Sequence, residues 1–579
     1  MGNIEPVKKP QKKQAKAPSV SASLDEHARV VAEGLALFGR RQFAEAAESF
    51  RAALRLQPAD AGMWSNFSAA LNEIGRVDDA IGAAREALRL APDMFEAWNN
   101  LGAVLDRAGR PMEAVVIYEQ ALRLNPTADV WNNLGNAHKA AGRVDQAVAC
   151  YRQAIRLRPD YWRVWSNMLF VMNYSDAFSL SDIAAEHRAF GAAIERGVTA
   201  VAPAPSPQVK TQLRVGFVSA DFYNHPVGRL LLPLLQAPRS GKVAYFLYAS
   251  NVVRDRFTER LTAAAEGIRW LQGGDDEGFS RVVKDDGIDV LIDLAGHTAG
   301  NRLPAFARRL APVQVEWLGY AFTSGLSAMD YVIGDPVSLP DEDVEYYTET
   351  PVRLPNYYLL AGAPETGVKT APPPMLRQGY VTFGSFNNPA KISPRVFAAW
   401  VDLLKRLPEA RLLMKSKAFG EPGLCKEFSG RFAQAGIAPS RLSFEGQSWG
   451  DAYFESFGRI DVALDPFPFP GLMTTLDTLW MGVPVVMLQE RAGMLGRHGA
   501  RMLELIGHAD WVASDTVGYI ERAVDLVSDA ARLATLRSGL RARLQSSAVM
   551  DAPGFSAAFE SLLMDLAGKR GITLAKGEG

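Results

Sequence analysis

The residues able to do chemistry in this chain sit in a few short polar loops. Histidine, the natural general base near neutral pH, occurs seven times. One lies in Asn224-His225-Pro226, just past the apolar run LRVGFVSADF (213–222). A lone histidine is more often structural, so position alone does not assign it. Gly296-His297-Thr298 ends the run DVLIDLAGHT, where a glycine before a polar residue lets a ligand approach the backbone. Thr323-Ser324-Gly325 follows WLGYAF. NNPAKI places Asn388 and Lys391 after YVTFGSF; a lysine there can neutralise a diphosphate or simply lie on the surface. PFPGLMTTLDTLW (468–480) leads from Gly471 into a helix expected to begin near Thr474 or Thr475. Backbone N–H groups at such a start bind phosphate, helped by the helix dipole. Asp477, in its first turn, can accept from ribose hydroxyls or merely offset the dipole.

Several chemistries have no motif here. No GxGxxG follows a strand, and neither a P-loop nor a GxSxG elbow is present. No His, Cys and acidic cluster has metal-ligand spacing, so no metal is expected. Asp341-Glu342-Asp343 matches a DxD metal motif nominally, but it lies in LPDEDVEYY and reads as a solvated turn. Cys150 and Cys425 are the two cysteines; they build no disulfide framework and fit a reducing cytoplasm. A formal charge of −1 gives no global pull toward nucleic acid or an anionic membrane. No window approaches 18 uninterrupted apolar residues, so no membrane span is expected. The basic, Pro/Ala/Ser-rich start has no apolar core of a signal peptide, and residues 1–23 read as a flexible tail.

The elements that must position these loops fall into two kinds. Pro58, Pro92, Pro126 and Pro159 are spaced 34, 34 and 33 residues apart, and Trp64, Trp98, Trp131 and Trp165 are spaced 34, 33 and 34. Small residues recur between them, as at Ala80, Ala87, Ala114, Ala121, Ala147 and Ala154. This is the signature of tetratricopeptide (TPR) repeats, paired antiparallel helices whose small residues mark close approach. Four repeats are expected from about 27 to 161, with Trp165 opening a degenerate fifth, in a helical region over 24–198. Such an α-solenoid offers a groove for a peptide or protein. Asn66, Asn99, Asn100, Asn132, Asn133 and Asn136 fall on first helices, where amides either bind an extended peptide or bond between repeats.

After a Pro/Ala-rich linker (199–212), short apolar runs alternate with helical segments over 213–360 and again over 375–570, separated by AGAPETGVKTAPPP (361–374). This predicts two doubly wound α/β domains in tandem. Ligands bind outside the carboxyl ends of such strands, which places the site between the two domains.

These loops carry a family resemblance. "VGFVSADFYNHP", "DLAGHTAGNR", "APVQVEWLGYAFTSG", "TFGSFNNPAKI" and "LDPFPFPG" with its following "LWMGVPVV" resemble the catalytic region of bacterial TPR-containing protein O-GlcNAc transferases and SPINDLY-like glycosyltransferases. The order, the spacing and the preceding repeats all fit, over about 27–560. The resemblance implies a GT-B fold of two Rossmann-like domains and inverting, metal-independent transfer. It implies a nucleotide-sugar co-substrate, UDP-GlcNAc by default, with no separate cofactor. The acceptor it implies is a Ser or Thr hydroxyl on a protein recruited by the repeats. Position by position, His225 matches the family's base or sugar/acceptor histidine, and Lys391 the lysine facing the donor diphosphate. Asn388, Lys415, Gly471, Thr474, Thr475 and Asp477 match nucleotide-sugar positions. His297, Thr298, Thr323, Ser324 and Gly325 fall in the sugar/acceptor region. Leu472 and Met473 stand where relatives carry hydroxyl or imidazole side chains, and Tyr453 where some carry a base-contacting histidine. That departure suits relatives that glycosylate flagellin from a CMP-nonulosonic acid with a single phosphate. It suits equally an adaptor whose transferase region is inactive.

Overall fold

A computed structural model describes residues 20–199, 208–251, 253–271, 276–490 and 492–575. Most of the expected tail and of the 199–212 linker therefore lies outside the described residues, although the first helix already begins at Val20, inside the stretch read as tail. Among the described residues no helix is long and apolar enough to cross a membrane.

The first ten helices are α1 Val20–Gly39, α2 Phe43–Leu56, α3 Ala61–Glu73, α4 Val77–Leu90, α5 Phe95–Arg107, α6 Pro111–Leu124, α7 Ala128–Ala140, α8 Val144–Leu157, α9 Trp162–Met172 and α10 Leu180–Glu195. The chain separates into two compact units: one runs to Ala108 and includes Glu113–Pro126, the other comprises Gly109–Met112 and everything from Thr127.

In the first unit the repeat chemistry is visible at each position. The Trp64 and Trp98 indoles donate to the carbonyls of Pro58 and Pro92, 2.9 and 2.7 Å away. A Cβ on Gly34 or Gly102 would come within 2.7 Å of Phe50 and 2.4 Å of Tyr118 ring atoms, so the glycines let the second helix of each pair seat its aromatic ring. Asn100 donates to the Ser65 carbonyl and hydroxyl one repeat earlier, at 3.2 and 2.9 Å.

The second unit begins with α7 and α8, where Gly135 receives Tyr151 in the same way, at 2.6 Å. Asn167 bonds Asn132 at 3.1 Å and Tyr151 donates to Asn136 at 2.8 Å, so these asparagines serve repeat packing. The Trp165 indole bonds the Pro159 carbonyl at 3.0 Å, so the degenerate fifth repeat keeps that geometry.

Two parallel sheets follow. The strands are β1 Gln208–Lys210, β2 Leu213–Ser219, β3 Val243–Ala249, β4 Gly267–Trp270, β5 Val290–Asp293, β6 Val313–Glu316, β7 Tyr331–Gly334, β8 Thr350–Arg353, β9 Thr382–Ser385, β10 Arg411–Lys415, β11 Leu442–Glu445, β12 Val462–Leu464, β13 Val485–Leu488, β14 Val512–Ala513 and β15 Ile572–Leu574. The first sheet runs β4-β3-β2-β5-β6-β7-β8 and the second β11-β10-β9-β12-β13-β14. The central strands β2, β5, β9 and β12 are buried on both faces, as the continuous apolar runs require. In each sheet the order reverses beside the first strand, so the switch points lie between β2 and β5 and between β9 and β12. The last helix, Ala552–Gly568, departs from the expected division at 375–570. It returns to the first sheet, where Phe559 meets Trp317 with ring centroids 4.7 Å apart, and β15 pairs with β1. A large aromatic face on that helix, Phe555 and Phe559, is buried by the first sheet's Trp317 and Phe217.

Candidate active site at the two switch points

The loops after β9 and β12 leave the second sheet side by side, and their polar groups interlock. Asn387 donates to Asp465 Oδ1 at 3.1 Å, while its carbonyl oxygen accepts from Lys391 Nζ at 3.3 Å and from the Thr474 hydroxyl at 3.4 Å. Asp465 also accepts from the Gly471 N–H at 2.9 Å and the Thr475 hydroxyl at 3.1 Å. Lys391 ends a short 3-10 turn, Pro389–Lys391, and donates to the Pro470 carbonyl at 3.0 Å. Gly471 is required by space: a Cβ would lie 2.3 Å from Thr474 Oγ1 and 2.8 Å from Thr475 Oγ1. The helix expected near Thr474 runs Met473–Trp480, and no side chain caps its first turn. His498 closes the far side, with Nε2 3.2 Å from the Gly471 carbonyl and Nδ1 3.2 Å from that of Met494.

Charge in this cluster is finely set. Burial pulls the Lys391 ammonium down to about 8, against the attraction of Asp465. Burial pushes the Asp465 carboxyl up, against the attraction of Lys391. Burial and the Lys391 charge bring His498 to about 4, so it is a neutral imidazole at physiological pH. A cavity here is lined by Asn387, Asp465, Thr474, Thr475 and Ser385, and the buried Ser385 hydroxyl has no partner. An amine whose charge can vary, beside an uncapped helix start, is equipped to meet an anion such as phosphate.

The first sheet's switch-point loop leads into a helix that reaches the Met473–Trp480 helix. His225 caps the helix Pro226–Gln236, its Nδ1 accepting from the Val227 N–H at 3.4 Å and lying 3.6 Å from Asp221. Burial lowers this imidazole, and Asp221 pulls the other way, leaving it below the usual range and so neutral near pH 7. One helical turn on, Arg229 grips Asp477 with both terminal nitrogens, at 2.6 and 3.3 Å. The Tyr453 hydroxyl donates to the same carboxylate at 3.3 Å. Arg229 also shares a cavity with Met473 and Leu476. The histidine helix and the Met473–Trp480 helix therefore face each other across one cleft.

Other expected positions lie elsewhere. Asn388 is exposed and accepts from the Ala390 N–H at 3.0 Å, capping the lysine turn; it is its neighbour Asn387 that bonds Lys391, Asp465 and Thr474. Lys415 lies on the same carboxyl edge, at the end of β10, but is bonded to Glu445 at 3.1 Å and to the Gly446 carbonyl at 3.2 Å. His297, Thr323, Ser324 and Gly325 form a buried joint between the helices and the first sheet. His297 bonds Ser166 at 3.1 Å and the Ser324 carbonyl at 2.9 Å. Glu349 accepts from the Thr323 hydroxyl at 2.6 Å and the Ser324 N–H at 2.8 Å. At Gly325, φ +80°, a Cβ would meet the His187 carbonyl oxygen at 2.1 Å. Thr298 is half-buried and bonds the Ala295 carbonyl at 2.8 Å. The solvated turn at 341–343 needs correction at one residue. Asp343 is buried, accepting from the Gly493 N–H at 2.7 Å and pairing with Arg497 at 3.2 Å, because its carboxylate fastens the helix Met494–Leu505. Among the described residues no group of three or more His, Cys, Asp or Glu side chains is arranged to hold a metal ion.

With this geometry in view, the sequence profile of glycosyl transferase family 41 matches residues 193–365 and 368–558. The chain belongs to glycosyl transferase family 41. Tetratricopeptide profiles match 31–95, 69–129 and 128–161. Among family 41 relatives, the "Probable UDP-N-acetylglucosamine--peptide N-acetylglucosaminyltransferase SPINDLY" of Petunia hybrida is 33% identical over 412 residues, 70% of this chain and 44% of that protein. The "UDP-N-acetylglucosamine--peptide N-acetylglucosaminyltransferase" of Caenorhabditis elegans is 24% identical over 475 residues, 62% of this chain and 41% of that one. The chain thus spans less than half the length of the curated relatives it matches. A solved lysine-to-methionine variant of Thermobaculum terrenum O-GlcNAc transferase superposes with a TM-score of 0.81 at 32% identity, covering 88% of this chain and 98% of that one. Helical repeats followed by two doubly wound sheets in the GT-B arrangement are accordingly the family 41 fold.

Reasoning from motifs missed Arg229, Asp465, Ser385 and His498. The spacing of four from His225 places Arg229 on the histidine's helix face, and Asp465 ends the apolar run IDVAL. No local signal pairs Arg229 with a carboxylate 248 residues away.

Proposed function

We propose that this chain is a protein glycosyltransferase that moves a sugar from a nucleotide-sugar donor to Ser or Thr hydroxyls. UDP-GlcNAc is the first donor to consider, since the relatives above carry it in their names. The observation that carries the reading is the convergence of Lys391, Asn387 and the Gly471–Thr475 turn at one switch point, with the His225 helix held against it by Arg229 and Asp477.

In the proposed reaction the acceptor oxygen attacks the anomeric carbon in line as the bond to the phosphate oxygen breaks, inverting that centre. Lys391 and the N–H groups of the 471–475 turn take up the charge growing on the leaving phosphate, so the reading assigns no metal. His225 accepts the hydroxyl proton directly or through water. The acceptor protein is recruited by the repeats, and holding both substrates in the cleft supplies the orientation.

Leu472 and Met473 pack against the core, leaving Thr474 and Thr475 as the hydroxyls of this turn. That favours a second reading, a donor with a single phosphate such as a CMP-nonulosonic acid with flagellin as acceptor. A thermal-shift series with UDP-, GDP- and CMP-sugars separates them. Stabilisation by UDP-GlcNAc alone supports the first reading and by CMP-sugars alone the second. No response to any nucleotide sugar contradicts both and favours an adaptor.

A further inference from the structure

Four contacts tie the helices that follow the first unit to the second α/β region, one of them on the lysine turn itself. The turn between α7 and α8 lies on Pro389–Lys391: a Cβ on Gly142, φ +75°, would come 3.1 Å from the Pro389 carbonyl oxygen. Beside it, Arg143 pairs with Glu427 at 3.1 Å. Just past the end of α9, Tyr174 meets the Phe469 ring edge to face with centroids 4.7 Å apart, and Phe170 lies 6.0 Å from the same ring. Phe469 in turn presents its face to Lys391, whose Nζ is 4.6 Å from the ring centroid.

The ammonium has three N–H donors, and its two hydrogen-bond acceptors, Asn387 Oδ1 and the Pro470 carbonyl, are both uncharged. Asp465 attracts it, but that carboxylate is already engaged by Gly471, Thr475 and Asn387. The ring face is therefore the ammonium's third support. A phenylalanine ring attracts a cation only over its face, since its edge carries the opposite sign. Phe469 sits between two prolines, and the rings of Tyr174 and Phe170 are what it packs on.

We infer that Tyr174 is a positioning residue that holds Phe469 face-on to Lys391, so that the helix following the repeats builds one wall of the proposed phosphate site. The inference takes from the proposed function that Lys391 serves the donor. The groups facing the ammonium are Asp465 on the β12 loop and His498, which stays neutral above about pH 4.

Competitive acetylation with acetic anhydride, read at Lys391 by peptide mass spectrometry across pH, reports its protonation in the free protein. Phe469→Leu is expected to lower the midpoint by about half a pH unit. Tyr174→Met, which removes the ring but keeps an apolar chain in its place, moves it the same way by less, and Tyr174→Phe restores the wild-type midpoint. An unchanged midpoint in Tyr174→Met, or in Phe469→Leu should Tyr174→Met not fold, overturns the positioning role. A UDP titration of the same proteins reads the donor question separately. Labelling shifts in a protein without UDP affinity uphold the positioning and remove the UDP-donor reading.

Discussion

Two polar assemblies stand at the carboxyl ends of the two sheets, built from similar residues and put to opposite uses. Beside the first sheet, His297, Thr323, Ser324 and Glu349 match donor to acceptor in a sealed joint that fastens helices to strands. At the second, Asn387, Asp465, Thr474 and Thr475 interlock around a cavity whose Ser385 hydroxyl is unmatched, and the Lys391 amine bonded to Asn387 leans on a backbone carbonyl. Polar residues at strand ends are thus no sufficient mark of a site. What distinguishes one is space, and groups whose present partners a ligand can replace.

The sharpest way to break this contrast is at Lys391. Lys391→Met is expected to reduce sugar transfer by about 100-fold or more while the fold holds, since one preorganised donor to developing charge carries that much. Transfer rates beside a melting curve check it. Next is the bond between the sheets. Arg229→Met leaves the buried Asp477 without its cation and is expected to destabilise the protein by about 3 kcal/mol. In a double-mutant cycle with Asp477→Asn the two losses do not add. The sealed joint gives the counterpart. Glu349→Ala orphans the Thr323 and Ser324 donors and is expected to lower stability by about 2 kcal/mol in denaturant titrations, with nucleotide affinity unchanged. If Glu349→Ala lost nucleotide affinity and kept its stability, the distinction between joint and site would fail.

The smallest effect is in pH. Asp293, at the end of β5 and paired in register with Glu316, is held up to about 7 by burial, opposed by hydrogen bonds from Gly296 and Ala295. Folded chains keep this proton where unfolded ones release it near about pH 4. The stability it contributes is complete below that value and is lost as pH rises to about 7. Asp293→Asn should flatten this part of the stability profile, measured as melting temperature against pH.

Much of this architecture was legible because its signals are local. The repeat spacing of tryptophan and proline reflects an indole that bonds the proline carbonyl six residues back, as at Trp64, Trp98 and Trp165. Lys391, Gly471 and Thr475 stood out because switch-point loops follow apolar strands directly. Asp477 was visible as an acidic residue of a helix start, but its salt bridge to Arg229 was not, since the partner lies on the other sheet. Nor does sequence distinguish His297, sealed under α10 and the Ser324 loop, from His225 at an open helix start. Both follow apolar strands, and only packing separates them. The return of Phe555 and Phe559 to the first sheet is likewise a tertiary choice that an amphipathic helix leaves open.

The central claim is that the second sheet's switch point grips the phosphate of a nucleotide through Lys391. Calorimetric titration of UDP into the wild-type chain and into a folded Lys391→Met variant tests it directly. Saturable binding by the first, with affinity reduced at least tenfold in the second, is the predicted result, about 1.4 kcal/mol or more. Equal affinity in both proteins would contradict it.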